Sequence, residues 1–410
     1  MVTALRVDAP NFSSEHRSAV ELGRSNAFFD AIVGAEISAK KAACAIAERI
    51  EEDLIARGWP IGTIYGSEGE LADRFGVSRI VLREAVRILE SRETARMRRG
   101  PNGGLVVLAP EMAAVLEAIH RYVTSHRGTD LQGSICRDVL RAVHSRLAHT
   151  SSGMPTRPGL EDFLNALMAA AEHYAREGAE GRIPMGAAAA CARSRAEQVF
   201  RLLMKDLSNT QGSNSRLGSE LDLCDRYGAD RSTLRQAIRM LEFEGVAVSA
   251  AGRGKGLMTR APDPTALCQL INCYFAAAGV TPEDAMAAFK LLSVEVVSIA
   301  ARAATHSDRA RLKEARQLLA ASHGAVSTDV MQLAEESQLG IVGEPLIDIL
   351  LRCTKSYPSW SSALRDPDDE ALGATYRAET LKVIAAILDR NPGAAASAQA
   401  AKVDRLAALI

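Results

Sequence analysis

Two pairs of arginines in this sequence have a spacing that suits contact with a nucleic acid. Arg79 and Arg83 stand four residues apart, and so do Arg231 and Arg235. Residues four apart share one face of a helix, so each pair would project in one direction. A guanidinium binds a guanine edge or a phosphate through paired hydrogen bonds. Each pair is therefore a candidate DNA-contacting surface, provided that a helix positions it.

Both arginine pairs lie within a sequence repeat. Residues 66–110 align with residues 218–262 without a gap at an offset of 152, and 20 of the 45 aligned positions are identical. Self-similarity of this length indicates a duplicated structural unit. These stretches are called the first repeat and the second repeat below.

The first repeat predicts two short helices joined by a tight turn. Ser67 to Glu70 form a capping box that begins a helix running to Phe75. Gly76 can take the left-handed conformation that closes this helix, and Ser78 caps the next one. Two short helices joined by a turn that contains glycine are typical of a helix-turn-helix.

A hairpin should follow the second helix. Residues 94–97 and 105–108 read as two short strands with a glycine-rich turn between them, which makes a wing that carries Arg99 and Asn102. The second repeat predicts the same elements. Its corresponding residues are Ser219 and Asp222 at the first cap, Gly228 at the turn, Asp230 at the second cap, and Arg253 and Lys255 at the wing tip.

These residues resemble the winged-helix DNA-binding domain of GntR-type bacterial transcription regulators. The resemblance rests on Ser67, Leu71, Gly76, Ser78, Arg79, Arg83, Ala85, Leu89 and Glu90, and on the looser set Ser219, Leu223, Gly228, Arg231, Arg235, Ala237 and Leu241. It implies DNA contacts in both repeats. The contacts expected are Ser67, Ser78, Arg79, Arg83, Arg99 and Asn102 in the first repeat, and Arg231, Thr233, Arg235, Arg253 and Lys255 in the second.

The sequence departs from the family pattern at two kinds of position. Gly69 and Leu221 stand where the family often has a basic residue, which implies one missing DNA contact in each repeat. Asp230 replaces the usual Ser or Thr; it still caps a helix, but its charge repels phosphate. The alternative for Arg79 and Arg83 is that they pair with Glu84 or Glu90 on a solvated helix face.

The rest of the chain predicts helices and no metal site. Residues 263–410 resemble the all-helical ligand-sensing bundle of the FadR subgroup of these regulators. Many such bundles bind a metal, and the pattern projects onto Met331, Glu335, Thr380 and Lys402. Of these only Glu335 is a metal ligand type, and Lys402 would oppose a cation. We therefore expect a metal-free pocket and no cofactor.

The expected fold is mainly α, with two winged helix-turn-helix domains and all-helical, effector-type bundles. The expected domains are an N-terminal extension (1–37), a first winged helix (38–110), a partial helical bundle or linker (111–192), a second winged helix (193–262) and a sensing-type bundle (263–410).

The cysteine content predicts a cytoplasmic location. The seven cysteines include no C-x-x-C pair, which favours a reducing compartment, and neither a signal peptide nor a membrane span is expected. The net charge is −1, from 49 basic and 50 acidic residues, so any DNA-binding footprint must be local. The first repeat has eight arginines against six acidic residues, and the second has seven basic residues against six.

The expected function is that of a sequence-specific, ligand-responsive transcription regulator, with duplex operator DNA and a small-molecule effector as partners. The chain would act as a homodimer or as an intramolecular pseudo-dimer on an asymmetric operator. In one alternative, the second repeat has lost DNA binding and only packs. Others are an architectural protein that uses its winged helices as a scaffold and, less favoured, an enzyme fused to a winged helix, because the C-terminal half lacks the strands of a large sheet.

Overall fold

The computed structural model describes residues 42–101, 103–125, 133–150, 158–177, 194–209, 215–249, 256–260, 264–361 and 369–409. The predictions made for residues 1–37, and for Asn102, Arg253 and Lys255 at the wing tips, lie outside these residues.

The protein is mainly α-helical, as expected. The elements up to residue 177 are α1 (Ala42–Ala56), α2 (Glu68–Phe75), α3 (Arg79–Ser91), β1 (Ala95–Arg98), β2 (Gly104–Val107), α4 (Met112–Ser125), α5 (Gly133–Thr150) and α6 (Pro158–Glu177). The elements after it are α7 (Arg195–Asn209), β3 (Arg216–Gly218), α8 (Glu220–Tyr227), α9 (Arg231–Phe243), β4 (Ala247–Ser249), β5 (Leu257–Thr259), α10 (Pro264–Ala277), α11 (Pro282–Ala303), α12 (His306–Ala321), α13 (Thr328–Leu339), α14 (Pro345–Ser361), α15 (Asp369–Leu388) and α16 (Pro392–Ala407). Among these helices none is both long and apolar enough to cross a membrane.

Each repeat forms two helices joined by a tight turn, at the positions that the capping residues predict. The Ser67 hydroxyl accepts a hydrogen bond from the Glu70 amide, and the Glu70 carboxylate accepts one from the Ser67 amide. Gly76 ends α2 with φ of 63°, a left-handed conformation that favours glycine. Gly228 ends α8 in the same way with φ of 56°.

Antiparallel strands follow the second helix in both repeats. Strand β1 pairs with β2, and Ala95 lies opposite Val107. In the second repeat β5 lies between β3 and β4. Strand β3 is an element that the sequence did not predict. Its counterpart in the first repeat is a single bridge from Ile64 to Val106, at positions equivalent to the Arg216–Met258 pair.

Equivalent helices of the two halves pack directly against each other. Helix α3 packs against α9, and α4 packs against α10; each helix in these pairs begins 152 residues before its partner. Helices α5 and α11, which follow α4 and α10, also pack together. Three such pairs in succession are the arrangement expected of two halves related by a local twofold axis.

The buried apolar side chains form three clusters. The largest joins the first repeat to α4, α5, α6, α10, α14 and the first part of α11. A second lies among α11, α12, α13, α15 and α16. The third belongs to the second repeat and its preceding helix α7, and includes Leu203, Leu223, Leu234 and Leu241. Helix α14 continues to Ser361 and includes Pro358 near its C-terminal end.

Candidate nucleic-acid interface

The first turns of α3 present charged and apolar side chains to solvent. The Ser78 hydroxyl caps α3 by accepting a hydrogen bond from the Val81 amide at 3.4 Å. Arg79, Ile80 and Arg83 are exposed, and Ile80 is 70% exposed although it is a large aliphatic side chain. A helix N-terminus with exposed arginines on one face attracts phosphate and can reach base edges.

Arg83 is held by a glutamate of the preceding helix. Its guanidinium Nη2 lies 2.9 Å from Oε1 of Glu68, and Nε donates to the same oxygen at 3.0 Å. The second repeat has the equivalent pair, in which Nε of Arg235 lies 3.1 Å from Oε1 of Glu220. The alternative partners suggested by the sequence, Glu84 and Glu90, are not those that Arg83 contacts. An exposed ion pair is worth about 0–1 kcal/mol, so a phosphate or a guanine can replace the glutamate.

Arg79 lies next to one of the departures from the family pattern. A Cβ added at Gly69 would lie 3.9 Å from the Arg79 guanidinium. The absence of a side chain at Gly69 therefore leaves space around Arg79. This exposed arginine is the cation of the first repeat that stands nearest to the position of the missing basic residue.

The N-terminus of α9 carries its own anion. Asp230 accepts hydrogen bonds from the amide and hydroxyl of Ser232, at 2.8 and 2.7 Å, and from those of Thr233, at 2.9 and 2.6 Å. These bonds, those from Ser232 first, hold the pKa of the exposed Asp230 carboxyl well below its ordinary value. The carboxylate is therefore ionised throughout the physiological range. It occupies two helix amides and both hydroxyls, whereas Arg231 beside it remains exposed.

The wing of the first repeat adds further cations. Arg96, Arg98 and Arg99 are exposed along β1 and just after it. Close approach of the wing to the start of α2 requires glycine, because a Cβ at Gly104 would lie 2.7 Å from the carbonyl oxygen of Gly66. The wing is thereby held beside Ser67 and the N-terminus of α2.

A buried charged cluster joins the ends of α3 and α9 that lie opposite the exposed arginines. Arg92 caps α3 and is 4% exposed. Its guanidinium donates to Glu51 of α1 at 3.1 Å, to Glu244 at the end of α9 at 2.9 Å, and to the Ala266 carbonyl of α10 at 3.1 Å. Arg121 of α4 lies 3.8 Å from Glu244. These groups are called the Arg92 cluster.

The charges of the cluster are matched within it. Burial alone would lower the pKa of Arg92, but the carboxylates of Glu51 and Glu244 outweigh it and raise that pKa. Burial raises the pKa of Glu51, which Arg92 and the Thr94 hydroxyl only partly offset. This cluster was not among the predicted features. The available signal was the change from arginine at position 92 to glutamate at the equivalent position 244.

The projected metal positions come together in the C-terminal bundle around an internal ion pair. Glu335 accepts hydrogen bonds from Lys355 at 2.6 Å, from Lys402, and from the Tyr376 hydroxyl at 2.9 Å. Despite its burial, the two lysines hold the pKa of Glu335 well below its ordinary value. Burial lowers the pKa of Lys355 to about 8. In the part of the chain that the structure describes, no group of three metal-ligating side chains occurs.

A small cavity adjoins this ion pair. It measures about 60 Å³ and lies among α11, α13 and α14, with Phe289, Glu335, Arg352 and Lys355 in its lining. Asp348, also in the lining, pairs with Arg352 and accepts a hydrogen bond from Tyr122 of α4 at 2.8 Å. Tyr122 therefore contacts the lining of the cavity, and its neighbour on α4, Arg121, belongs to the Arg92 cluster.

Comparison with known proteins finds one family model that is similar to both repeats. Residues 42–104 and 195–256 match the family model described as bacterial regulatory proteins, gntR family. No protein of curated function matches the chain. A solved structure, Streptococcus agalactiae GntR, is 18% identical with a TM-score of 0.32, over 51% of this chain and 97% of that one. A GntR structure from Rhodococcus sp. RHA1 is 18% identical with a TM-score of 0.25, over 52% and 97%. The matched family segments contain α2 and α3, and α8 and α9.

Proposed function

We propose that this chain is a sequence-specific DNA-binding transcription regulator whose two winged helices read the unlike halves of one operator. The observation that carries the proposal is the pairing of equivalent helices, α3 with α9 and α4 with α10, around one local twofold axis. Dimeric regulators meet two half-sites with two reading helices related by a twofold axis. Here both reading helices belong to one chain, and the gntR family model matches both segments.

The two half-sites should differ because the reading helices differ. At equivalent positions, Ser78 corresponds to Asp230 and Ile80 corresponds to Ser232. A homodimer reads a palindrome with two identical helices, whereas two unlike helices select two unlike half-sites. Covalent linkage also gives the second winged helix a high effective concentration once the first is bound, so weak binding by the second still adds affinity.

The proposed contacts follow the exposed ends of the helices and the wings. In the first winged helix they are Ser67, Ser78, Arg79, Arg83, Arg99 and Asn102. In the second they are Arg231, Thr233, Arg235, Arg253 and Lys255. Arginines on a reading helix supply base contacts, and those on a wing supply contacts at the neighbouring groove. Ser67 and Ser78 would donate their hydroxyl hydrogens to phosphate while still capping their helices.

The helices outside the repeats are proposed to sense a small molecule, as in the FadR subgroup. The cavity beside Lys355 supports this role, because it is connected to the winged helices through Tyr122 and Arg121. The organisation into an N-terminal extension, two winged helices, a partial bundle and a C-terminal bundle is part of the same proposal. No enzymatic activity, metal or cofactor belongs to it.

Selection of binding sites from random duplex DNA tests the proposal. The expected product is an imperfect repeat with two distinct halves, of which Arg83→Ala weakens one and Arg235→Ala the other. A symmetric palindrome bound by two chains, unaffected by Arg231→Ala and Arg235→Ala, would exclude two-domain reading. A selection that enriches no sequence would instead favour the architectural role.

A further inference from the structure

The ends of the two reading helices that lie away from the proposed DNA contacts meet on the local twofold axis. Arg92 caps α3, Glu244 caps α9, and the two residues are equivalent at the offset of 152. A residue that contacts its own equivalent lies on or beside the axis. In a homodimer such a residue faces an identical copy of itself. Here an arginine faces a glutamate; the Arg92 side chain is buried, and that of Glu244 is 12% exposed.

A second contact repeats with the same symmetry. Arg121 lies 3.8 Å from Glu244. The residues equivalent to Arg121 and Glu244 in the other half are Cys273 and Arg92. These two also lie close together, because the Cys273 thiol lies beside the Arg92 guanidinium and the Glu51 carboxylate. The contact between the two halves is called the joint. Its first-half residues are Arg92, Arg121 and Glu51, whose equivalents in the second half are Glu244, Cys273 and Leu203. Of these equivalents, Glu244 and Cys273 lie at the joint, whereas Leu203 lies in the core of the second repeat.

The charges at these positions depend on which halves meet. Within one chain, Arg92 and Arg121 face Glu51 and Glu244, and the joint is neutral. Two first halves from two chains would bring Arg92 against a second Arg92, each with Glu51 as its only buried carboxylate, while each Arg121 would keep the exposed Glu117 of its own helix at 3.3 Å. Two second halves would bring two copies of Glu244 and no arginine at these positions. An uncompensated buried charge is much more costly than an exposed one, because desolvation is not repaid.

We propose that the Arg92 cluster selects the partner of each winged helix: it accepts the unlike repeat of the same chain and rejects a second copy of either repeat. One chain is then a complete DNA-reading unit, and two chains do not exchange their winged helices. This inference rests on the proposed function and specifies which partner each reading helix takes. Phe243 supports the fit, because its ring lies 4.8 Å from the Arg92 guanidinium and its equivalent in the first repeat is a serine, Ser91.

Cross-linking of the full chain tests which copies meet. Glu84 of α3 and Arg239 of α9 lie 3.6 Å apart across the joint, and both are partly exposed. The double variant Glu84→Cys, Arg239→Cys, treated with a short bismaleimide, should give a cross-link within one chain. The variants Glu84→Cys and Arg239→Cys made separately, carrying different tags and refolded together from urea, should give no cross-linked dimer above the background of the native cysteines. The wild-type chain, with its native cysteines, supplies the background.

Charge reversal tests the cause of the selection. In the double-cysteine chain, Glu244→Arg should lower the intrachain cross-linking yield several-fold, and Glu244→Gln should lower it by a smaller factor. Asp225→Arg makes the same charge change at an exposed position of α8 and should leave the yield unchanged. The glutamine variant keeps the size of the side chain, so the result does not depend on whether the arginine variant folds.

Two outcomes would overturn the inference. One is cross-linking between the differently tagged Glu84→Cys and Arg239→Cys chains with a yield equal to that within the double variant. The other is an unchanged intrachain yield in Glu244→Gln. Both measurements are made without DNA. If the cross-link forms within one chain but the protein selects no DNA sequence, only the proposed function is contradicted. If the protein selects an operator but the cross-link forms between chains, only this inference is contradicted.

Discussion

The two repeats share a backbone but are attached to the rest of the protein in different ways. The apolar core of the first repeat continues into α4, α5, α6, α10, α11 and α14 as one cluster. The second repeat encloses a separate core with α7 and reaches the large cluster through Phe243. Duplication thus preserved the element order and the caps, while the surfaces that attach each copy diverged.

The first repeat is therefore held by a continuous apolar core, whereas the second is held more by individual polar contacts. Burial of a continuous core is non-directional and involves many side chains, so no single contact sets the position of the first repeat. The second repeat depends more on directional contacts, those of Arg92 and Arg121 with Glu244 and that of Arg239 with Glu84. A few substitutions at these residues should therefore move the second repeat without unfolding the first.

Loss of Arg92 should have the largest effect. Arg92→Met leaves the fully buried Glu51 without its cation and Glu244 without its closest partner. Removing one member of a buried ion pair costs about 3–5 kcal/mol of unfolding free energy. Urea denaturation followed by circular dichroism measures the loss, with Arg96→Met, an exposed arginine of β1, as control. A cost equal to that of the control would show that the cluster does not hold the repeats together.

The same variant should respond to pH in a defined direction. The pKa of Glu51 is already raised by burial, and removal of Arg92 raises it further. A carboxyl with a raised folded-state pKa contributes stability that is present at low pH and lost as the pH rises through that pKa. The destabilisation by Arg92→Met should therefore be larger at neutral pH than in mildly acidic solution. A loss that grows on acidification would contradict this account.

The next largest effects should distinguish the two reading helices. Arg79→Ala or Arg83→Ala should each cost about 1–3 kcal/mol of specific binding, as expected for loss of a base or phosphate contact. Arg231→Ala and Arg235→Ala should cost less, because Asp230 already places a negative charge at the start of α9. Fluorescence anisotropy with the selected duplex and a random duplex measures both. Equal losses of binding free energy for the two pairs would contradict the weaker contribution expected of the second repeat. No loss for Arg79→Ala and Arg83→Ala would mean that α3 does not read DNA.

Local sequence was sufficient to predict the helices and turns of each repeat but not the contact between the repeats. The Ser67 cap, the Gly76 turn and the Ser78 cap lie where local hydrogen-bonding and φ preferences put them, so a short stretch of sequence determines α2 and α3. The Arg83–Glu68 pair was missed because it crosses between two helices whose packing the sequence does not specify. The contact of Arg92 with Glu244 joins residues 152 positions apart and depends on how complete units pack.

A smaller effect should come from Ile80, which has a polar counterpart in Ser232. An exposed aliphatic side chain at the second residue of a reading helix is placed to contact the methyl group of a thymine. Ile80→Ser should cost about 0.5–1 kcal/mol, the scale of burying one methyl group. Replacement of one thymine by uracil in the first half-site should cost the wild type the same amount and the variant nothing. Equal losses in both proteins would show that Ile80 does not contact that methyl group.

The smallest expected effect comes from a substitution that should make DNA binding by the second repeat more similar to that of the first. Asp230→Ser replaces the carboxylate by the cap that the first repeat uses at Ser78, so α9 keeps a good N-cap residue. It frees the hydroxyls of Ser232 and Thr233 and removes a negative charge from the helix N-terminus, where a charge is worth about 0.3–1 kcal/mol. Specific binding should tighten by about that amount at low salt, and the gain should fall as salt screens the phosphates. Asp225→Ser, at an exposed position of α8, is the matched control for charge. If Asp230→Ser tightens binding no more than Asp225→Ser, the N-terminus of α9 does not face a phosphate. The second repeat would then serve in packing rather than in reading DNA.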